Sequence, residues 1–195
     1  MSLISALAGV HSKGQFGDYK DKKDNDLIKI SEKKNLLIVQ IAQYKNSSAS
    51  SENIDIDGLK LKDVPLNVAS NNNTRILWNG PKNWLLVSAK KDLLNNISKA
   101  FKETDFAITD LSYSKAIIEI EGQNVKEVLK KGCPFNFNIL EKNNSINSTY
   151  NGTTFTVDIL DDNPDKVRLF TLRSFGESFY HSITDASLEF GFRAI

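Results

Sequence analysis

The chain has 195 residues, 40% of them hydrophobic, enough to bury a core as one large domain or as two small fused units. Lys and Arg total 25 against 24 Asp and Glu, a formal charge of +1, which excludes a field steering it toward nucleic acid or an anionic membrane. The single cysteine, Cys133, excludes an internal disulfide, and one thiol without clustered ligands builds no zinc or iron–sulfur site, so a reducing, cytoplasmic setting is expected.

The apolar opening Leu3 to Val10 is too short to span a bilayer, and no Lys or Arg precedes it as in a signal peptide. Residues 11–26 are polar, glycine-punctuated and without periodicity, so residues 1–26 read as an N-terminal arm and flexible linker ahead of one α+β domain over 27–195. LLIVQIAQY from Leu36 has the composition and length of a buried strand. Residues 46–58 are weak helix formers, yet Ile54, Ile56, Leu59 and Leu61 need burial, and a short helix is expected there. Arg75–Trp78 and Trp84–Val87 flank Asn79-Gly80-Pro81-Lys82, a hairpin between antiparallel strands.

Leu93, Leu94, Ile97, Ala100 and Phe101 recur at helical spacing, followed by a strand over Phe106–Leu111. The order strand, helix, strand, strand, helix, strand is that of a ferredoxin-like, split βαβ unit. It begins again with the strand KAIIEI (115–120) and a helix opened by Gly122, with Val125, Val128 and Leu129 on one face. Lys130 and Lys131 suit that helix's C-terminal dipole, Gly132 suits a left-handed closing residue, and Pro134 stops continuation. Strands over Phe155–Leu160 and Val167–Thr171 surround the turn 161–164. In the last helix Ser174 and Glu177 have capping-box spacing, and Phe175, Phe179, Ile183, Ala186 and Phe190 face the core. The expected architecture is two ferredoxin-like halves, about 27–112 and 113–195, packed as one body.

Catalytic constellations are not found. His11 and His181 have no partner in the sequence pattern and are read as surface residues, since acid–base work and ligation need a second positioned group. The glycines at 9, 14 and 17 follow no predicted strand, so no Rossmann or P-loop fingerprint exists. Asp110 reads as a strand-end cap and Glu119 as a solvent-facing charge, with a buried base the competing reading of either. Cys133, between a helix-ending Gly and a Pro, reads as a buried structural thiol. Trp78 and Trp84 fit core packing and an exposed partner anchor equally well. With no catalytic, cofactor-binding or metal residues assigned, the candidate partner interface comprises Leu3, Leu7, Trp78, Trp84 and Arg173.

Four stretches in order resemble the gamma subunit family of heterotetrameric sarcosine oxidase, a relative of the folate-binding fold of aminomethyltransferase, the glycine-cleavage T protein. They are Ser5-Ala6-Leu7-Ala8-Gly9; Arg75 to Val87 (RILWNGPKNWLLV); Asp110-Leu111-Ser112 through Gly122 to Lys131-Gly132-Cys133-Pro134; and Arg173-Ser174-Phe175 to Ala186-Ser187-Leu188-Glu189-Phe190-Gly191. Lys82-Asn83 and Asn136 depart from acidic residues common in that family. The resemblance implies a non-catalytic assembly subunit beside alpha, beta and delta chains. The complex demethylates sarcosine oxidatively to glycine, forms hydrogen peroxide and passes the one-carbon unit to tetrahydrofolate. FAD, FMN, NAD and tetrahydrofolate belong to the alpha and beta chains, and zinc to the delta chain. The alternatives are a short, stand-alone folate-binding aminomethyltransferase-like protein, against which the missing pocket-closing C-terminal domain counts, and a homodimer when isolated.

Overall fold

The computed structural model describes residues 4–195. In chain order it contains β1 (Gly14–Phe16), β2 (Ile28–Glu32), β3 (Leu37–Gln43), β4 (Asp55–Ile56), β5 (Leu59–Lys60), β6 (Val68–Ser70), β7 (Thr74–Gly80), β8 (Asn83–Ser88), α1 (Leu93–Ala100) and β9 (Phe106–Asp110). Then follow β10 (Lys115–Glu121), α2 (Val125–Gly132), β11 (Ser145–Tyr150), β12 (Thr153–Asp162), β13 (Asp165–Leu172), α3 (Gly176–Ser187) and β14 (Phe192–Ala194). They fall into two compact units. The first takes the described residues up to Lys34 with 114–142 and 147–195, and the second takes 35–113 with 143–146.

The second unit is a five-stranded sheet, β6-β7-β8-β3-β9, antiparallel throughout. With β3, β7, β8 and β9 as its four strands, the order is that of a ferredoxin-like sheet. The first helix of that plan is missing: residues 46–58 form only a 3-10 turn (Ser51–Asn53) and enter the β4–β5 hairpin. The expected helix gives way because Asn, Ser and Gly compete for turns, and Asp57 and Gly58 take the left-handed conformations of the hairpin turn. The apolar residues there still reach the interior. Ile56 and Leu61 join Leu37, Val39, Ile41, Trp84 and Leu86 of the sheet and Leu93 and Ile97 of α1 in one core, with Ile54 and Leu59 packed on it.

The first unit holds a seven-stranded sheet, β1-β14-β2-β10-β13-β12-β11, with residues 147–150 of β11 belonging to it. The ferredoxin-like order survives as β2-β10-β13-β12, but the fourth position is filled from the N-terminal side by β2, antiparallel to β10. β14 lies parallel to β2 and antiparallel to β1. Register sorts the two faces: Ile30, Ile120, Val167 and Ile159 are directly opposite one another, as are Ile118, Leu169 and Val157, so they share a face. Helices α2 and α3 pack on the sheet through β13 and β10, burying Val125, Val128, Leu129, Phe179 and Ile183. Tyr150, Phe155 and Phe179 make mutual aromatic contacts with centroids 5.5–6.0 Å apart.

Several local expectations are corrected. Residues expected as arm and linker carry β1, and Leu7 is fully buried. Gly132 ends α2 without a left-handed turn, Cys133 following in extended conformation. The glycine is required by packing, since a Cβ there would sit 2.5 Å from the Tyr150 ring. Ser174 lies in a 3-10 turn ahead of α3, whose N-cap is Phe175 with no side-chain cap, so the capping box does not form.

Candidate functional site

In β10 and β13 charges occupy alternate positions of otherwise apolar strands. Register places Ser31, Glu119, Arg168 and Asp158 directly opposite one another in a row across β2, β10, β13 and β12. Opposed residues project from the same face, here the one opposite the Ile120 and Val167 row. Glu119 Oε1 accepts from Arg168 Nε at 2.9 Å and Nη2 at 2.6 Å, and Lys33 Nζ lies 3.2 Å from its Oε2. Glu119 is 5% exposed and Asp158 0%. The solvent-facing placement of Glu119 is therefore corrected: a buried carboxylate is admissible because cations take both of its oxygens. One row along, Glu121 accepts from Lys166 at 2.7 Å, with Lys29 at 3.6 Å. The Lys166 bond is the main reason its carboxyl is held below the usual range.

Other titratable groups are similarly committed. Asp57 accepts from Lys90 Nζ at 2.6 Å and Thr74 Oγ1 at 2.6 Å, and the Lys90 bond first of all lowers its pKa. Asp110 Oδ1 accepts from the Ser112 backbone N–H at 2.9 Å and hydroxyl at 2.6 Å, a local cap at the end of β9. Cys133 is buried, its Sγ donating to Ser148 Oγ at 3.2 Å. His181 is exposed. His11 differs from expectation: its Nδ1 lies 2.9 Å from the Tyr180 hydroxyl and its Nε2 3.1 Å from the Ile195 carbonyl, joining the N-terminal segment to α3 and the C-terminal strand region. Among the described residues no group of three or more His, Cys, Asp or Glu is placed to hold a metal ion.

Burial pushes the pKa of Tyr150 and of Tyr180 up to about 12. Folded values above the ordinary 10.0 stabilise the protonated, folded form, fully below pH 10 and decreasingly as pH rises toward 12. Alkaline unfolding followed by tyrosinate absorbance and circular dichroism together should show these two groups ionising only as structure is lost, and Tyr150→Phe should remove part of that step. Ionisation of both near pH 10 with the fold intact would contradict the assignment.

Of the candidate partner residues, Leu3 lies outside the described residues. Leu7 and Trp84 are interior, 0% and 1% exposed, so they offer no area to another chain as the molecule stands. Trp84 Nε1 donates to the Lys62 carbonyl at 2.9 Å, whereas half-buried Trp78 donates to Asp63 Oδ1 at 2.8 Å. Arg173 is exposed and donates to the Ile4 carbonyl, with exposed Ile4, Leu172 and Phe175 beside it in space or sequence. The structure thus brings Arg173 to the N-terminal segment and leaves Trp78 in the other unit. The ionic rows escaped sequence reasoning, although the i, i+2 charges in KAIIEIE and DKVRLF were a usable signal.

Comparison with known proteins gives a consistent picture. The model of the "Sarcosine oxidase, gamma subunit family" matches residues 47–189. The "Sarcosine oxidase subunit gamma" of Corynebacterium sp. (strain U-96) is 27% identical over 118 residues, covering 60% of this chain. The match spans 58% of that relative's length, under two thirds. Among solved structures, a chain of heterotetrameric sarcosine oxidase from Corynebacterium sp. U-96 in complex with pyrrole 2-carboxylate is similar, with TM-score 0.82, 20% identity and 97% of each chain covered. The glycine cleavage system aminomethyltransferase T from Bartonella henselae is similar with TM-score 0.61 and 10% identity, over 82% of this chain and 46% of that one. The α+β fold is therefore shared with aminomethyltransferase.

Proposed function

Since the chain belongs to the sarcosine oxidase gamma subunit family, we propose that it is the non-catalytic assembly subunit of a heterotetrameric sarcosine oxidase. In this reading it stands beside alpha, beta and delta subunits in the cytoplasm. The complex oxidises the N-methyl group of sarcosine, releases glycine and hydrogen peroxide and hands the one-carbon unit to tetrahydrofolate. FAD, FMN, NAD and the folate site belong to the partner subunits.

The family match over residues 47–189 carries this reading. The pairing of Glu121 and Asp57 with Lys, which lowers the pKa of both, supports it, because a carboxylate held by cations is a poor proton shuttle near neutral pH. No helix among the described residues is long and apolar enough to cross a membrane. The likeness to aminomethyltransferase T supports one rival, a stand-alone folate-binding aminomethyltransferase-like protein.

Co-expression of a tagged form with the alpha, beta and delta chains separates the two. The assembly reading expects all four to co-elute and sarcosine oxidation to travel with the complex. Sarcosine turnover by the isolated chain, or one-site tetrahydrofolate binding at about micromolar Kd, would reject it in favour of the rival.

A further inference from the structure

Within the first unit, an open groove of about 660 Å³ runs between the N-terminal segment, α3 and β14. Its apolar wall is the Phe16–Phe192 stack, centroids 5.1 Å apart, with Leu188 near by; Phe16 is 37% exposed and Leu188 41%. Another part of its lining is one side of α3, where His181 and Asp185 stand four residues apart. Asp185 is exposed and makes no ion pair among the described residues, so this side presents one exposed carboxylate. β1, which contributes Phe16, is the terminal strand of its sheet and pairs on one side only, with β14.

An apolar wall, an exposed carboxylate and an open strand edge together specify a polypeptide in extended form. Such a segment pairs its backbone with a free edge, and its alternate side chains point the same way. We propose that the groove receives an extended segment of another subunit, in which an apolar residue and a Lys or Arg stand two positions apart. The apolar side chain covers Phe16, Phe192 and Leu188, while the cation meets Asp185. The proposal rests on the assembly role above and adds the place and chemistry of one contact.

The test uses the tagged chain co-expressed with the alpha, beta and delta subunits. Asp185→Lys and Leu188→Ser should each cut the partner protein retained on the tag by about tenfold or more, the range of a lost interface anchor, with melting temperatures unchanged. A photoreactive side chain introduced at Ser182 should crosslink to a peptide of a partner subunit that has the apolar–x–basic pattern. Full retention by both variants while the wild type assembles overturns the groove assignment alone, as does crosslinking only to a second copy of this chain. If the wild type elutes without partners, the assembly role falls and this proposal with it.

Discussion

Replacing Trp84 by alanine is expected to cost about 3–5 kcal/mol of stability, as for other large aromatic truncations in packed cores. Trp84 lies on β8 at 1% exposure, within the cluster formed by β3, β7, α1 and the β4–β5 hairpin. Truncation leaves a cavity too well framed by strands to collapse, and orphans the Lys62 carbonyl that the indole N–H satisfies at 2.9 Å. Trp84→Phe keeps most of the apolar area and should lose distinctly less. Denaturant unfolding of the isolated chain measures both. A Trp84→Ala variant that melts like the wild type and fails only to assemble would restore the partner-anchor reading and refute the core assignment.

The second large effect concerns Arg168. Its guanidinium donates twice to Oε1 of Glu119, opposite on β10, and the residue stands in register with Asp158 on β12, with Arg168 and Glu119 side chains 16% and 6% exposed. Arg168→Ala leaves Glu119 with Lys33 alone, a 43% exposed ammonium at 3.2 Å. Removing one partner of a buried pair costs about 3–5 kcal/mol, whereas exchanging both partners for apolar residues of like volume is often neutral. The expected result is therefore non-additive: Arg168→Met or Glu119→Leu alone destabilises strongly, and the double variant recovers much of the loss. A double-mutant cycle by equilibrium unfolding reads the coupling. Single variants within about 1 kcal/mol of wild type would show that the pair contributes little.

Much of this fold was legible from local pattern. The strand at Leu37–Gln43, the Trp78–Trp84 hairpin, α1, α2 and the β12–β13 pair follow from runs of apolar residues at period two or 3.6 and from the Gly and Pro between them. The four motif stretches led to the family that the match over 47–189 supports. What escaped was decided at long range. IKISE at 28–32 is short and half polar, yet it becomes the strand beside β10 because Ile28 and Ile30 complete that core. SINSTY at 145–150 gives no apolar run, yet Ser145 and Tyr150 are buried by pairing and by the Phe155–Phe179 cluster. The charged rows were hidden for the same reason, as two alternating strands reveal their ion pairs only once register is fixed. Even the motif glycines proved to be about contact: Gly191 takes φ 66° and leaves no room for a Cβ beside the Asp18 carbonyl.

The position of β2 has a consequence for how the polypeptide comes into being. One unit is almost continuous in sequence, residues 35–113 with a four-residue return at 143–146, so nearly all of it is synthesised before β10 is. The other encloses it in sequence: β2 precedes it, whereas β10, β13 and finally β14, the strand parallel to β2, follow it. Such a sheet joins positions more than 160 apart, Ile28 with Phe192 among them, and separations of that kind slow folding through the entropy of closing the intervening chain. Early formation of the enclosed unit shortens that loop in effect, holding residues 34 and 114 at the ends of a finished body while the nascent β2 waits for its neighbours.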